Sequence, residues 1–425
     1  MAIKKIKVTN FKSFKELDLE LGKFNVLIGA NASGKSNFIQ IFQFLRDIAS
    51  SGLDNAISMQ GGLEYLRNLN IGSSENSSVR FVSDRKTIFL GFFSPQIQTI
   101  QGEVYETIYD FSIKSTTGDS DFEIVKDEFT QKCSFVEEIT KRTILGEGKV
   151  EEITERKKFG EGKFVLSLTN GEIKVELNKP EEVSMGKDDV YPSSLFQQWN
   201  LNKLLLNELS SIFPSILIDI SSIAIYDFDP KLPKKATPIT GKINLETDGN
   251  NLAIVLKNII KHEDKRRKFF NLLNDLLGFV DDLDVQKFAD KSLLFTIKEK
   301  YFKNQDLPAF LLSDGTINLT AMIISLYFEG NPLTIIEEPE RNIHPHIIAK
   351  LVNMMKDASE KKQIIVTTHN PEVVKYAGLE NLLLVSRDKD GFSVISRPAD
   401  KKEVKTFLKN EIGIEELYVQ SLLEV

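Results

Sequence analysis

The eight residues Gly29-Ala-Asn-Ala-Ser-Gly-Lys-Ser36 restrict this chain more than any other stretch. They fit the spacing G-x-x-x-x-G-K-[S/T] in the one context where it has physical meaning. The apolar run "FNVLI" precedes them, and "SNFIQIFQFLRDIA" follows with apolar residues at helical spacing. Glycines let successive backbone N–H groups turn towards one point, and the helix N-terminus adds a dipole that favours an anion. In such a loop Lys35 can reach the outer phosphates and Ser36 can hold Mg²⁺. Roughly one or two random chains in a hundred of this length would carry the four fixed positions, so the strand and helix around them decide the reading.

The acidic run in "LTIIEEPE" puts Glu337 and Glu338 at the end of an apolar strand. The carboxyl end of a strand in a parallel α/β sheet faces the ligand crevice. One carboxylate there can hold a metal, and the next can orient and polarise a water. Two adjacent carboxylates repel each other, which a divalent cation relieves. "QIIVTTHN" repeats the pattern, with Thr367, Thr368 and His369 closing the strand. A neutral imidazole at that end can hydrogen-bond a phosphate oxygen or the water. His344 and His346 in "NIHPHI" are two apart across Pro345, a poor spacing for one helical metal face, and read as loop and helix-start residues.

The remaining chain sorts by periodicity. "IKKIKVTNFKSFKELDLELGKFNVLIGA" alternates and then becomes continuously apolar, which predicts two antiparallel strands and a buried third. Residues 78–177 are mostly strand-like, with a hairpin expected at Asn170-Gly171. Residues 186–300 shift towards helix, in "SSLFQQWNLNKLLLNELSSIF" and "NNLAIVLKNIIKHEDKRRKFFNLLNDLLGF", around an irregular connection marked by Pro230, Pro233 and Pro238. After residue 300 strands and helices alternate, as a parallel α/β sheet requires. Three segments are therefore expected: an N-terminal lobe with antiparallel β elaboration (1–185), a mostly helical insertion (186–300) and a C-terminal lobe (301–425). The phosphate-loop strand and the acidic strand are expected to share one sheet.

Composition narrows the partners. A net charge of −7 and a pI near 5.5 provide no general basic surface for DNA, and the clusters "KHEDKRRK" and "ERKK" are mixed in sign. The single cysteine, Cys133, excludes an internal disulfide and a multi-cysteine zinc site. The apolar runs are too short to span a bilayer, so no membrane association and a cytoplasmic protein are expected.

Together "VTNFKSF", "GANASGKSN", "LLSDGT", "TIIEEPERNIHP" and "VTTHNPEVV" occur in the order found in the RecF/SMC-like branch of the ABC ATPases. The chain resembles in particular the stand-alone bacterial ATPases related to the OLD proteins. The resemblance covers about residues 1–50 and 305–385. It implies a P-loop NTPase fold of the ABC head type, with a mixed-sheet lobe and a parallel-sheet lobe. Carried over by motif position, Gly29, Ala30, Asn31, Ala32, Ser33, Gly34, Lys35, Ser36 and Asn37 form the ATP loop. Ser36 and Glu337 take Mg²⁺, with Glu337 where Asp is commoner. Glu338 falls on the catalytic glutamate and His369 on the switch histidine. Such ATPases also use a Q-loop glutamine, for which Gln60, Gln98, Gln101 and Gln131 remain open.

The resemblance also gives "LLSDGT" a second meaning. By itself Ser313-Asp314-Gly315 is a helix cap. In ABC-type heads the matching signature completes the ATP site of another subunit, which would make Ser313 and the Gly315 backbone γ-phosphate donors in trans. The signature reads S-D-G-T where transporters have S-G-G-Q, and Asp314 beside a triphosphate must point away. The activity implied is ATP hydrolysis by a head-to-head homodimer, in phage defence or DNA maintenance. A separately encoded nuclease or toxin, or DNA, is the expected further partner. Two alternatives stand beside it: a nucleotide-gated scaffold with negligible turnover, and a metal-dependent nuclease using Asp388 and Asp390. For the latter, "LLLVSRDKDGFSVIS" reads better as a hairpin turn.

Overall fold

The computed structural model describes residues 3–72, 74–90, 100–116, 121–145, 149–169, 172–183, 199, 203–208, 214–288, 291–302, 305–409 and 413–424. The chain forms two compact units, one of residues 1–21 and 44–221, the other of 22–43 and 222–425.

The first unit is built on an eight-stranded antiparallel sheet. β1 (Ile3–Phe11) and β2 (Phe14–Glu20) form the opening hairpin, while β3 (Phe24–Ile28) belongs to the second unit. β4 (Ser77–Ser83), β5 (Thr87–Leu90), β6 (Ile100–Ser115), β7 (Phe122–Leu145), β8 (Lys149–Thr169) and β9 (Glu172–Asn178) complete the sheet. Its order is β2-β1-β4-β6-β7-β8-β9, with β5 on β6. Alternation puts one residue in two on the buried face. Pairing then aligns Ile6, Phe81, Tyr109, Phe129 and Leu166 in a single row across five strands. All five are buried, and the rings of Phe81, Tyr109 and Phe111 pack at 5.7–5.8 Å. Each such side chain contributes about 1.5–3 kcal/mol by leaving water, which makes this row the backbone of the unit's core. β8 pairs with β9 up to Thr169 and Glu172, while the expected turn residues Asn170 and Gly171 lie outside the described residues.

The second unit holds β10 (Ala224–Tyr226), β11 (Thr237–Pro238), β12 (Val280–Phe288), β13 (Ser292–Glu299), β14 (Asp306–Pro308), β15 (Leu333–Glu337), β16 (Gln363–Thr367), β17 (Leu382–Arg387) and β18 (Ser393–Ser396). Six strands make one sheet in the order β10-β15-β16-β3-β17-β18. All neighbours are parallel except the β17–β18 hairpin. β3, from near the N-terminus, thus lies between strands of the C-terminal segment, as the sequence led us to expect. β3 and β16 are buried along their whole length, which is why they read as unbroken apolar runs.

Among the described residues of 186–300, helices such as Pro214–Ser221 stand beside strands that the mostly helical expectation did not include. Helices cover Leu252–Ile260 and Glu263–Leu276, but β12 and β13 pair as an antiparallel ribbon. β13 carries five consecutive buried residues, and a fully buried strand has no alternation to distinguish it from helix. Of "SSLFQQWNLNKLLLNELSSIF", only a helical turn at Leu205–Glu208 lies among the described helices. Among the described residues no helix is long and apolar enough to cross a membrane.

Candidate active site

The parallel sheet brings the sequence motifs to one edge. Glu337 on β15 aligns with Thr367 on β16, which aligns with Leu27 on β3, so these three strands end together. The Glu338 N–H extends the ladder one residue further, donating to the Thr367 carbonyl at 3.0 Å. Beyond this edge lies a cavity of about 390 Å³, lined by Asn31, Ala32, Gly34, Lys35, Ser36, Asn37, Glu337, Glu338, Thr367 and Arg387.

Backbone geometry explains the loop's composition. Gly29 has φ +149°, and a Cβ there would meet the Val385 carbonyl oxygen at 2.2 Å, so only glycine fits. Ala32 is also left-handed, at φ 60°. Arg387 donates to the Ala32 carbonyl through Nε and Nη2, at 3.1 and 2.9 Å. Ser393 Oγ donates to the Ser33 carbonyl at 2.6 Å. The helix Lys35–Ser51 then begins, and Lys35 Nζ donates to the carbonyls of Gly29 at 2.7 Å and Ala30 at 3.0 Å. Burial lowers the pKa of its ammonium, and the Glu338 charge partly restores it.

Opposite the loop, burial holds the Glu337 carboxyl above the usual carboxylate range, and the Asp227 and Glu338 charges add to this while Arg341 opposes it. A carboxylate so placed suits a divalent cation. Ser36 and Glu337 both line the cavity, so the donors present fit Mg²⁺. Glu338 sits at φ 44°, a conformation a non-glycine residue adopts at some cost. Its side chain has a basic group beside each oxygen. His369 Nδ1 lies 3.0 Å from Oε1, and Arg341 reaches Oε2 at 3.1 Å through Nη2 and 3.3 Å through Nε.

The residues on either side of His369 are anchored. Thr368 Oγ1 donates to the buried Glu340 and accepts from the Asn370 N–H at 2.9 Å. Asn370 caps the helix Pro371–Ala377. The remaining signature residues lie apart from the cavity lining. Ser313 is exposed and caps the helix Asp314–Tyr327, accepting from the Thr316 N–H at 3.1 Å. Asp314 pairs with Lys234, which answers its awkward charge. Gly315 packs so tightly on the turn after β15 that a Cβ would approach the Asn342 carbonyl oxygen to 2.6 Å.

Other candidates resolve differently. His344 caps the helix Pro345–Ser359, matching the helix-start reading. Among the described residues no group of three or more His, Cys, Asp or Glu is placed to hold a metal. Asp388 Oδ1 accepts from the N–H groups of Asp390 and Phe392 in the β17–β18 turn, as the hairpin reading expected. Gln98 lies outside the described residues, and Gln60, Gln101 and Gln131 belong to the other unit. Arg341, Arg387 and Asp227 were missed as site residues. The signal available for Arg341 was its position three residues beyond Glu338.

A family described as "AAA domain, putative AbiEii toxin, Type IV TA system" matches residues 24–130 and 190–375, more than half of the chain. The chain belongs to this AAA-domain family. Its fold is that of the P-loop ATPase heads. A crystal structure of the SmcHead bound to the C-winged helix domain of ScpA is similar over 93% of this chain and 98% of that one. The TM-score is 0.50 at 15% identity, a likeness of fold alone. The Septu protein PtuA of Bacillus thuringiensis is 27% identical over 107 residues, 23% of this chain. That match spans about a quarter (26%) of the relative's length. The matched residues include the phosphate loop and the acidic strand.

Proposed function

We propose that this chain binds ATP and hydrolyses it as a head-to-head homodimer, each site being completed by the partner's signature. The observation that carries hydrolysis is the convergence of Lys35, Glu337 and Glu338 on one cavity, with His369 on Glu338 Oε1. In this reading the loop N–H groups and Lys35 bind the phosphates, and Glu338 orients and polarises the attacking water. His369 fixes the carboxylate's direction and presents its other ring nitrogen to the γ-phosphate. Ser36 and Glu337 would hold Mg²⁺, which neutralises phosphate charge when bound.

The surface around the signature supports a partner copy. Phe310 and Leu311 are 54% and 61% exposed beside the exposed Ser313, an apolar patch next to a capped helix start. Exposed apolar side chains of this kind favour burial against another surface. Phage defence or DNA maintenance, with a separately encoded effector, remains the setting the family resemblance suggests. The partial likeness to a Septu protein agrees with it.

Phosphate release and light scattering on Glu338→Gln test the proposal. Turnover should fall by at least about 100-fold, and with saturating ATP and Mg²⁺ the variant should accumulate as a dimer. A Glu338→Gln protein that hydrolyses like wild type would remove Glu338 from the chemistry. Wild-type protein that binds ATP but releases no phosphate would instead favour a nucleotide-gated scaffold.

A further inference from the structure

We infer that Arg341 is a positioning residue for Glu338 and ties that carboxylate to the helix that starts at the signature. The inference rests on Glu338 being the group that polarises water.

Arg341 occupies the turn after β15 and bonds in three directions. Its guanidinium bridges two carboxylates, with Nη2 3.1 Å from Glu338 Oε2 and Nη1 2.9 Å from Asp227 Oδ1. Nη1 also lies 3.5 Å from the Phe228 carbonyl. Its own N–H donates to the Glu338 carbonyl at 2.9 Å, closing the turn. Its own carbonyl accepts from Asn318 Nδ2 at 2.7 Å, and Asn318 belongs to the signature helix Asp314–Tyr327. One residue on, the Asn342 carbonyl meets the bare Cα face of Gly315 in the same helix. Side chain and main chain of Arg341 therefore connect three segments distant in sequence: the end of β10, the catalytic turn and the signature helix.

Stability does not account for this arrangement. The Arg341 side chain is 40% exposed, and a partly solvated ion pair adds little to folding. A planar fork that engages two carboxylates does fix direction, and a lysine cannot reproduce it. Glu338 needs such a constraint, because the only other side chain within ion-pair distance of its carboxylate among the described residues is the exposed His369. The two contacts act on different oxygens, so together they set the plane of the carboxylate. Movement of the signature helix would pull on Arg341 through Asn318, and so on Glu338.

The test is a cycle of ATPase measurements on Arg341→Ala, Asp227→Asn and the double variant, alongside Arg341→Lys and Glu338→Gln. Arg341→Ala should lower kcat about ten- to a hundredfold with the ATP KM and the unfolding midpoint near wild type. Arg341→Lys should recover only part of the loss. The double variant should lose less than the product of the two single losses, because Asp227 acts on Glu338 through the guanidinium. Wild-type kcat in Arg341→Ala, a loss confined to KM, or independent multiplication of the two single losses would each overturn the inference. Glu338→Gln separates the two claims. If it is inactive while Arg341→Ala is fully active, only the inference about Arg341 fails. If Glu338→Gln itself turns over normally, both fail.

Discussion

At the scale of single residues, Gly29 and Gly315 show why two glycines in motifs need not be there for the same reason. Gly29 combines a left-handed φ with a carbonyl at 2.2 Å from where a Cβ would stand. Gly29→Ala should therefore distort the loop and abolish ATP binding in a nucleotide titration, while the antiparallel sheet of the other unit still folds. Gly315 has an ordinary helical backbone but a carbonyl neighbour at 2.6 Å. Its constraint is packing on Asn342, a contact the sequence could not reveal. Asp127 is a residue of another kind. Buried on β7, it accepts from the Leu205 N–H at 2.5 Å, and burial pushes its carboxyl up to about 7 from 3.8. A carboxyl raised on folding contributes stability that is complete below its ordinary value and lost as pH rises through about 7. Denaturant unfolding of the first unit should therefore show a lower midpoint at about pH 8 than at about pH 5. Asp127→Asn, which keeps an acceptor for Leu205, should flatten that difference.

At the scale of elements, the phosphate-loop strand, the acidic strand and the switch strand were legible because their chemistry sits at fixed offsets from apolar runs. Lys35, Glu337, Glu338 and His369 each lie at or within seven residues of a strand end, and β3, β15 and β16 align those ends. The partners that orient these side chains were not legible. Arg341 meets Asp227 across 114 residues, and Arg387 meets Ala32 across 355, so local pattern holds no trace of either. β12 and β13 were hidden for a different reason, since β13 is buried on both faces. The signature helix joins both lessons. Its cap was readable in Ser313, while its hold on the turn after β15 through Asn318 was not. Ser313→Ala should cost about 1 kcal/mol of stability through the lost cap, read as a lower unfolding midpoint. Ser313→Arg should bind ATP normally yet fail to hydrolyse it. An arginine variant with wild-type turnover would reduce the motif to its capping role.

At the scale of the whole molecule, each active site of the proposed dimer draws on two copies of the chain. Each copy carries one loop set and one signature, and an isologous pair would form two composite sites. The most direct measurement mixes two variants that are each inactive, Lys35→Ala and Ser313→Arg, and follows phosphate release. In a mixed dimer one composite site pairs an intact Lys35 with an intact Ser313. Random pairing of equal amounts puts that site in half of the dimers, so activity should return to about a quarter of wild type. A mixture as inactive as its components, with mixed dimers shown to form, would contradict the shared site.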